Sequence, residues 1–383
     1  MTNPFHIMIL SVGSLLGQNI LDSIEGHRRK LRVTGVDSSA NNPRIFRCDK
    51  AFIAPMINTA AFGDFLCDLS AKELPDMILP GRDHDVIALA ELAGSSPDMQ
   101  KRIPCGRLEA AHIMNDKGLS YTFAQENGLP FAATYILQKG CIDNARSWAK
   151  EHGFPLLAKP QQGFGSLGIR IICDERQLDA FLSRNHQQFV LQEMIDFNEE
   201  RRRFIEDYLR EADSGIPLFM HVPDEDQFAG QAVIGPDGSV GKIFTSRNLM
   251  VIGRCERSAP WDDPALISTT RAFAQAIAAV GWRGMFNLQC RKTGTAYIAN
   301  EMNGRMSGST SARRWLGYDE VRELILAFYQ VDIGANESDL TNTQGTVYRS
   351  LTDDFVSQQD YETLVQKGMW ERHIQPGKTG LTK

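Results

Sequence analysis

The first hundred residues alternate β-prone and helix-prone stretches, and this alternation constrains the fold more than any other feature of the sequence. Apolar, β-prone stretches lie at residues 6–12, 32–37, 51–54 and 76–79, and segments long enough for helices separate them. Strands separated in this way form βαβ units, which build a parallel sheet with right-handed crossovers. The sequence therefore predicts a parallel-sheet domain at the N-terminal end.

Length and composition exclude several classes of protein. The 383 residues suit two or three packed domains, and 42% hydrophobic with 23% charged residues is typical of a globular protein. A net charge of −6 argues against non-specific nucleic-acid binding. Because we find neither a secretion signal nor a long apolar run, we expect a cytoplasmic protein without membrane contact. The seven cysteines stand singly, without the spacing of zinc ligands.

A glycine-rich loop at residues 162–168 follows a predicted strand that ends near Lys159. Glycines let a backbone approach phosphates closely, and a neighbouring lysine adds a positive charge. The segment is not a Walker A loop, because Gly-Lys-Ser/Thr is absent. Taken alone, it is also compatible with a glycine-rich hairpin turn beside a chance lysine.

Polar residues recur at alternate positions of two later predicted strands, at residues 284–291 and 296–305. Glu301 and Asn303 share one face of their strand, and Asn287 and Gln289 share one face of the preceding strand. Converging carboxylate and amide oxygens suit Mg²⁺. The alternative is an edge hairpin whose polar face lies in solvent.

The order of these elements resembles the ATP-grasp superfamily, and more closely its carbamoyl-phosphate-synthase-like carboxylate–amine ligases. The motifs that carry the resemblance are Asn-Asp-Lys117, Lys159-Pro with the glycine loop, Gln192-Glu-Met-Ile195, Gln289, and Glu301-Met-Asn-Gly-Arg305. The resemblance implies an α/β and α+β protein of the ATP-grasp fold. Its expected parts are a Rossmann-like pre-ATP-grasp domain, a small (lid) subdomain, a large subdomain with the metal site and a C-terminal segment, at residues 1–110, 111–188, 189–330 and 331–383.

The resemblance also implies site residues. Magnesium, or manganese in its place, would be bound by Gln289, Glu301 and Asn303. Arg305 would reach the transferred phosphoryl group, and Arg247 would face the phosphates. ATP would be bound by the lysines, the glycine-rich loop, the adenine hinge and a ribose contact: Lys117, Lys159, Gln162, Gly163, Gly165, Ser166, Gly168, Gln192, Glu193, Ile195 and Gln227.

Three features depart from the family pattern. Gln227 stands where the family often has a carboxylate that contacts the ribose. Gly304 replaces the usual proline after the metal-binding asparagine, which predicts a looser loop around Arg305. An extra segment at residues 198–215 follows the hinge, and Asn198 with two following glutamates predicts a short surface helix.

The resemblance implies an ADP-forming carboxylate–amine ligase that acts on small molecules through an acyl phosphate. Alternatives are a phosphotransferase or a non-catalytic nucleotide-binding protein on the same fold. An NAD-dependent oxidoreductase is disfavoured, because Gly13-Ser-Leu-Leu-Gly17 lacks the Gly-x-Gly-x-x-Gly spacing.

Two segments of the sequence could bind the substrates. Arg82 could bind a carboxylate and Asp83 or Asp85 an amine, although a solvated strand-to-helix loop explains this segment equally well. Arg313 or Arg314 could also bind a substrate carboxylate, or be surface charges at a helix start. A homodimer is compatible with the sequence.

Overall fold

A five-stranded sheet organises the N-terminal part of the chain in the computed structural model. Four strands are parallel and lie in the order β3-β2-β1-β4. They are β1 (Phe5–Leu10), β2 (Leu31–Asp37), β3 (Lys50–Ile53) and β4 (Met77–Leu79). Every residue of β1 is buried, as expected for a central strand covered on both faces. The helices that connect and flank these strands are α1 (Leu15–Ile24), α2 (Ala61–Glu73), α3 (Asp83–Ser95) and α4 (Pro97–Arg102).

The structure describes most but not all of the chain. The described residues are 4–138, 140–163, 165–184, 188–195, 197–211, 224, 226–334, 345–350 and 355–372.

A four-stranded antiparallel sheet forms the small subdomain, in the order β5-β8-β6-β7. Its strands are β5 (Thr134–Ile136), β6 (Leu156–Pro160), β7 (Arg170–Ile172) and β8 (Phe189–Glu193). Apolar residues on one face pack against α7 (Ile142–His152) and α8 (Glu175–Leu182). Because side chains alternate along a strand, Leu157 and Lys159 point away from these helices.

The predicted boundary of the small subdomain was wrong by one strand. The sequence assigned β8 to the large subdomain, but β8 pairs with both β5 and β6. Val190 and Leu191 are fully buried within this sheet. The small subdomain therefore extends to Glu193. The helices α5 (Leu108–Asn115) and α6 (Lys117–Glu126) precede its strands and pack into the core of the large subdomain.

A six-stranded antiparallel sheet forms the large subdomain, in the order β13-β12-β9-β10-β11-β14. Its strands are β9 (Gln227–Ile234), β10 (Phe244–Val251), β11 (Arg254–Pro260), β12 (Gly284–Thr293), β13 (Ala296–Asn303) and β14 (Val347–Tyr348). One face packs on α10 (Pro264–Val280) and on α5 through apolar residues. The opposite face is polar. Between the two antiparallel sheets the chain forms α9 (Glu199–Glu211).

The C-terminal part of the chain completes the N-terminal domain. Helices α11 (Thr310–Trp315) and α12 (Glu320–Tyr329) precede the predicted C-terminal segment, and α13 (Gln358–Lys367) and β15 (Met369–Glu371) lie within it. Strand β15 pairs antiparallel with β3, and Leu324, Leu364 and Trp370 join the core around β1 and β2. Among the described residues, no helix is both long enough and apolar enough to cross a bilayer.

Candidate active site

A cavity of about 1020 Å³ lies where the three sheets meet, and it brings together most of the predicted site residues. Its walls are the outward face of the four-stranded sheet, the polar face of the six-stranded sheet and the loops at the carboxyl ends of β1 and β4. The predicted residues that line it are Lys159, Gly165, Ser166, Gln192, Glu193, Ile195, Gln227, Gln289, Glu301 and Arg305. The predicted residues outside this lining are Lys117, Gln162, Gly163, Gly168, Asn303 and Arg247.

Lys159 is buried near the end of β6 and carries the clearest electrostatic signal in the cavity. Its ammonium group donates a hydrogen bond of 2.6 Å to Gln192 Oε1, and Gln192 Nε2 donates to Thr134 Oγ1 at 3.0 Å. Burial lowers the pKa of Lys159 to about 8, and the strongest nearby charge acting against this is Glu301 on the opposite sheet. A buried ammonium with a lowered pKa is stabilised by a further anion, such as a phosphate.

Lys117 supports the glycine-rich loop from behind. Its Nζ donates to the carbonyl oxygen of Gly163 at 3.2 Å, and its charge contributes to the lowered pKa of Lys159. Gly163, Gly165 and Gly168 all have positive φ, which explains the need for glycine in this loop. Gln162 is exposed, and Phe164 lies outside the described residues.

The glycine-rich loop reaches the six-stranded sheet across the mouth of the cavity. A Cβ atom on Gly253, in the turn between β10 and β11, would lie 2.8 Å from the carbonyl oxygen of Gly165. The two backbones therefore approach each other more closely than any side chain at Gly253 would allow.

The predicted adenine hinge lies at the end of β8. Glu193 Oε1 accepts a hydrogen bond of 2.8 Å from the amide of Ala133, so this carboxylate is used within the protein. Ile195 lines the cavity just beyond it. The hinge thus leaves backbone groups and an apolar side chain at the cavity, and the adenine contact stays a prediction.

The predicted metal ligands lie side by side on adjacent strands of the six-stranded sheet. Gln289 on β12 is opposite Glu301 on β13, and Asn287 is opposite Asn303. Asn303 Nδ2 donates to Glu301 Oε1 at 3.3 Å, and Gln227 Nε2 on β9 donates to Gln289 Oε1 at 2.8 Å. The contact of Gln227 with a ribose stays a prediction.

Two further amide oxygens belong to this polar surface. Oδ1 of Asn287 and Oδ1 of Asn300 are buried without a hydrogen-bond partner, and both residues line the cavity. Asn300 is the extra residue of a β-bulge between β12 and β13, so the simple alternation of the sequence did not select it.

This donor set fits a magnesium ion. It contains the carboxylate of Glu301 and several amide oxygens, and two of these oxygens are buried without a partner. No group of three His, Cys, Asp or Glu side chains that could hold a metal occurs within the described ranges. Mg²⁺ commonly takes one or two carboxylates and completes its shell with phosphate oxygens and water, so one carboxylate is sufficient.

Arg305 is fixed by a buried ion pair with the N-terminal domain. Its Nε donates to Asp83 Oδ1 at 2.8 Å and its Nη2 to Asp83 Oδ2 at 3.1 Å. Gly304 is enclosed as well, because a Cβ atom there would lie 2.6 Å from the ring of Trp282. The looser loop predicted from Gly304 is therefore not found. Glycine is instead required by the close packing of Trp282.

The loop after the metal strand is held by a second buried ion pair. Arg313 Nε donates to Glu320 Oε1 at 2.6 Å, and its Nη1 and Nη2 donate to Ser309 and Ser307 at 2.7 and 2.8 Å. The guanidinium of Arg314 lies over the ring of Trp315. Arg313 is thus committed to the protein, contrary to its suggested role in binding a substrate carboxylate.

The segment after β4 is a wall of the cavity, and the solvated-loop interpretation is wrong. Gly81, Arg82 and Asp83 all line the cavity. Asp85 is buried and accepts from the amides of Gly81 and Arg82 at 2.9 Å, and burial raises its pKa to about 6. Asp85 therefore organises the loop from within and does not contact the cavity.

Other parts of the protein occupy the space around the glycines that follow β1. Asp37 Oδ2 accepts from the amide of Gly13 at 2.9 Å, and the Asn42 side chain occupies the space where a Cβ of Gly13 would lie. Gly17 packs against the carbonyl of Val12. The amide of Gly13 and the space beside it are thus used within the protein, which argues further against a dinucleotide site.

Contrary to the prediction, Arg247 points away from the cavity. Its guanidinium pairs with Asp226 (Nε to Oδ1, 2.7 Å) and lies over the ring of Trp261. Its neighbours on β10, Asn248 and Met250, line the cavity. Because side chains alternate along a strand, the pairing register of β10 directs Arg247 to the opposite face.

Three charged residues that the sequence did not single out line the cavity beside the hinge. Arg291 on β12 donates to both carboxylate oxygens of Asp224, with a distance of 2.8 Å for Nη2. Arg201 Nη2, from the first turns of α9, donates to the same carboxylate at 3.0 Å. Arg291 lies two positions after Gln289, so strand alternation could have placed it on the cavity face.

Comparison with known proteins gives a consistent picture of the fold. No protein-family model matches the chain. A formate-dependent phosphoribosylglycinamide formyltransferase of Stutzerimonas stutzeri (strain A1501) is 28% identical over 175 residues, which are 46% of this chain and 42% of that enzyme. The match thus spans less than half the length of that relative.

Solved structures match over nearly the whole chain. N5-carboxyaminoimidazole synthetase of Staphylococcus aureus, complexed with ADP, has a TM-score of 0.63 at 14% identity and covers 86% of this chain and 78% of its own. Carboxyaminoimidazole ribonucleotide synthase of Aspergillus clavatus, complexed with ATP, has a TM-score of 0.62 at 15% identity, with coverages of 89% and 80%.

A third structure is the biotin carboxylase domain dimer of the Hydrogenobacter thermophilus 2-oxoglutarate carboxylase, in complex with MgADP, ADP and bicarbonate. Its TM-score is 0.60 at 13% identity, and it covers 90% of this chain and 72% of its own. At these identities the likeness establishes the fold, which is the one predicted from the motifs. The chain has an ATP-grasp fold preceded by a Rossmann-like parallel-sheet domain.

Proposed function

We propose that this protein is an ATP- and magnesium-dependent, ADP-forming carboxylate–amine ligase. The observation that carries the proposal is that Lys159 and Glu301 line one cavity from two different sheets. One wall of the cavity thus offers a cation for phosphates, and the facing wall offers a carboxylate for a metal. Binding of a metal–nucleotide complex requires this arrangement.

The nucleotide would lie between the two antiparallel sheets. Lys159, assisted by Lys117 and the glycine-rich loop, would neutralise its phosphates, and the hinge at Glu193 would hold the base through backbone groups. Magnesium would be held by Gln289, Glu301 and Asn303, and it would supply charge neutralisation between the phosphates. Manganese has the same preference for oxygen ligands.

The reaction would take place in two steps. An oxygen of the substrate carboxylate forms a bond to the γ-phosphorus, and the bond from that phosphorus to the leaving oxygen of ADP breaks, giving an acyl phosphate. An amine then attacks the acyl carbon, phosphate departs and the nitrogen loses a proton. Neither step needs a nucleophilic side chain, because positioning and charge neutralisation provide the catalysis.

The substrates would enter from the N-terminal domain. This end of the cavity is lined by Ser14, Arg82 and the loop that contains Ser309. Arg82 makes no side-chain ion pair with another described residue, which leaves its charge for a substrate anion. Arg305 lines this cavity too, and its ion pair with Asp83 would fix its position beside the transferred phosphoryl group.

The known proteins support this proposal in outline. Two of the similar structures contain ADP or MgADP and one contains ATP, bound in proteins that share this fold. Small-molecule carboxylate and amine substrates agree with the chemistry of such enzymes, and the dimeric biotin carboxylase domain makes a homodimer the natural assembly to test.

The proposal is tested by the release of ADP and phosphate from MgATP in the presence of pooled carboxylates, pooled amines or both. We expect release that requires both pools. The Glu301→Gln variant should lose about 10²- to 10³-fold in turnover and keep its melting temperature, because it removes charge stabilisation without changing shape.

The matched control is Glu362→Gln, an exposed glutamate on α13. It should retain full turnover. Release with carboxylates alone that ends in a stable phosphorylated product would indicate a phosphotransferase instead. Binding of MgATP without turnover in every pool would favour a non-catalytic nucleotide-binding protein.

A further inference from the structure

Helix α9 belongs to the segment that departs from the family pattern, and it is strongly amphipathic. Arg201, Phe204, Ile205 and Tyr208 recur at helical spacing and line the cavity. The opposite face is charged and exposed, with Arg202, Arg203, Glu206, Asp207 and Arg210. A helix of this pattern turns its apolar stripe toward a packing partner. Among the described elements, α9 packs extensively against no helix or strand. Its apolar stripe faces the cavity instead.

The position of α9 follows from the hinge. The helix begins at Glu199, four residues after Ile195, and the Asn198 side chain accepts from the amide of Arg201 at 2.9 Å, which caps the first turn. The chain therefore passes directly from the proposed adenine hinge into α9. The inner face of α9 consequently borders the nucleoside end of the cavity.

A charged contact joins α9 to the six-stranded sheet. The Arg201 side chain is only 6% exposed and pairs with Asp224, which also accepts from Arg291 on β12. Because the Arg201 guanidinium has little access to water, it depends on this carboxylate for its charge partner. The first turns of α9 are thereby fixed to the same strand that carries Gln289.

We propose that α9 forms the outer wall of the base subsite, where Phe204 and Tyr208 contact the purine ring of the nucleotide. This inference rests on the proposed function. After Arg201, the inner face of the helix offers only apolar and aromatic side chains, which suit a base and not a phosphate. The phosphate charges would have their partners at Lys159 and at the metal ion held by Glu301, and the polar substrate end lies at Ser14 and Arg82. A purine has the flat apolar surface that stacks on aromatic rings.

The test compares two probes, MgADP and magnesium tripolyphosphate, by calorimetric titration of the full-length protein. Phe204→Ala and Tyr208→Ala should each weaken MgADP binding about tenfold, because loss of an aromatic stacking partner removes about 1–3 kcal/mol. Both variants should bind tripolyphosphate as the wild type does, since this probe has no base. Tyr208→Phe keeps the ring and should keep the affinity for MgADP.

Arg203→Ala is the matched control on the outer face of the same helix, where the side chain is 73% exposed. It should leave both affinities unchanged. Unchanged MgADP affinity in both alanine variants would overturn the inference, and so would an equal loss for the two probes, which indicates a general disturbance of the phosphate site. Failure of the wild-type protein to bind MgADP would instead overturn the proposed function itself.

Discussion

The two sheets that face each other across the cavity hold their polar residues in different ways. On the six-stranded side, buried ion pairs fix the loop beyond the metal strand: Arg305 with Asp83 and Arg313 with Glu320. On the four-stranded side, Lys159 is buried, but the loop that follows it is rich in glycine and Leu167 at its tip is 68% exposed. The difference indicates a fixed side for the chemistry and an open side for nucleotide entry.

The largest expected effect tests the fixed side. Asp83→Ala leaves the guanidinium of Arg305 buried without its carboxylate, so the free energy of unfolding should fall by about 3–5 kcal/mol. The double variant Asp83→Leu with Arg305→Met should recover most of this loss but not the turnover. Chemical denaturation measures both. Breaking the exposed pair by Glu199→Ala is the control and should cost less than about 1 kcal/mol. A similarly small loss for Asp83→Ala would show that the pair does not fix the loop.

The next effect concerns the charge on the open side. The pKa of Lys159 is lowered to about 8 by burial, and bound phosphates favour the ammonium form, so the pKa rises when nucleotide binds. Binding of MgADP should therefore take up a proton above about pH 8, and its affinity should fall as the pH rises further. Below that pH, Lys159 should contribute no pH dependence.

Calorimetry in buffers of different ionisation enthalpy measures this proton uptake. Lys159→Arg should abolish the uptake, because arginine stays charged throughout this range. Uptake that persists in this variant would assign the proton to another group.

A smaller effect is expected in the glycine-rich loop. Gly168 and Gly153 both have φ of 76°, and only Gly168 belongs to the loop that borders the cavity. Each substitution by alanine should lower the free energy of unfolding by about 1–3 kcal/mol, because a side chain strains a backbone with positive φ. Only Gly168→Ala should also weaken MgADP binding. Equal affinity in the two variants would show that the loop conformation does not matter for the nucleotide.

The smallest effect concerns Arg247. Because its side chain pairs with Asp226 on the face away from the cavity, Arg247→Ala should change MgADP affinity less than about twofold. Arg291→Ala, on the cavity face, serves as the comparison and should weaken binding more. A large loss in the Arg247 variant would support the original sequence prediction over the observed register.

The sequence predicted the residues whose position depends on local alternation. Lys159 and Glu301, which line the cavity, could be singled out because each lies on a strand whose polar and apolar positions alternate, next to a motif. Asn300 could not, because a bulge displaces it from that alternation. The parallel sheet was likewise predicted from its βαβ spacing.

Contacts between distant parts of the chain could not be predicted from the sequence. Arg305 and Asp83 lie 222 positions apart, and nothing near either residue specifies the other. The membership of β8 in the four-stranded sheet and the pairing of β15 with β3 are also choices among partners that only packing decides. Ten of the predicted site residues line the cavity and six do not, and the contacts that hold them in place come from tertiary structure.

Transfer of oxygen from the substrate to phosphate tests the central claim most directly. Once a carboxylate and an amine that support turnover are known, the carboxylate is labelled with ¹⁸O and the released phosphate is analysed by mass spectrometry. An acyl-phosphate intermediate carries one carboxylate oxygen into the phosphate, so the account predicts one ¹⁸O per phosphate released. Unlabelled phosphate, formed at the same rate as the product, would contradict the proposed ligase mechanism.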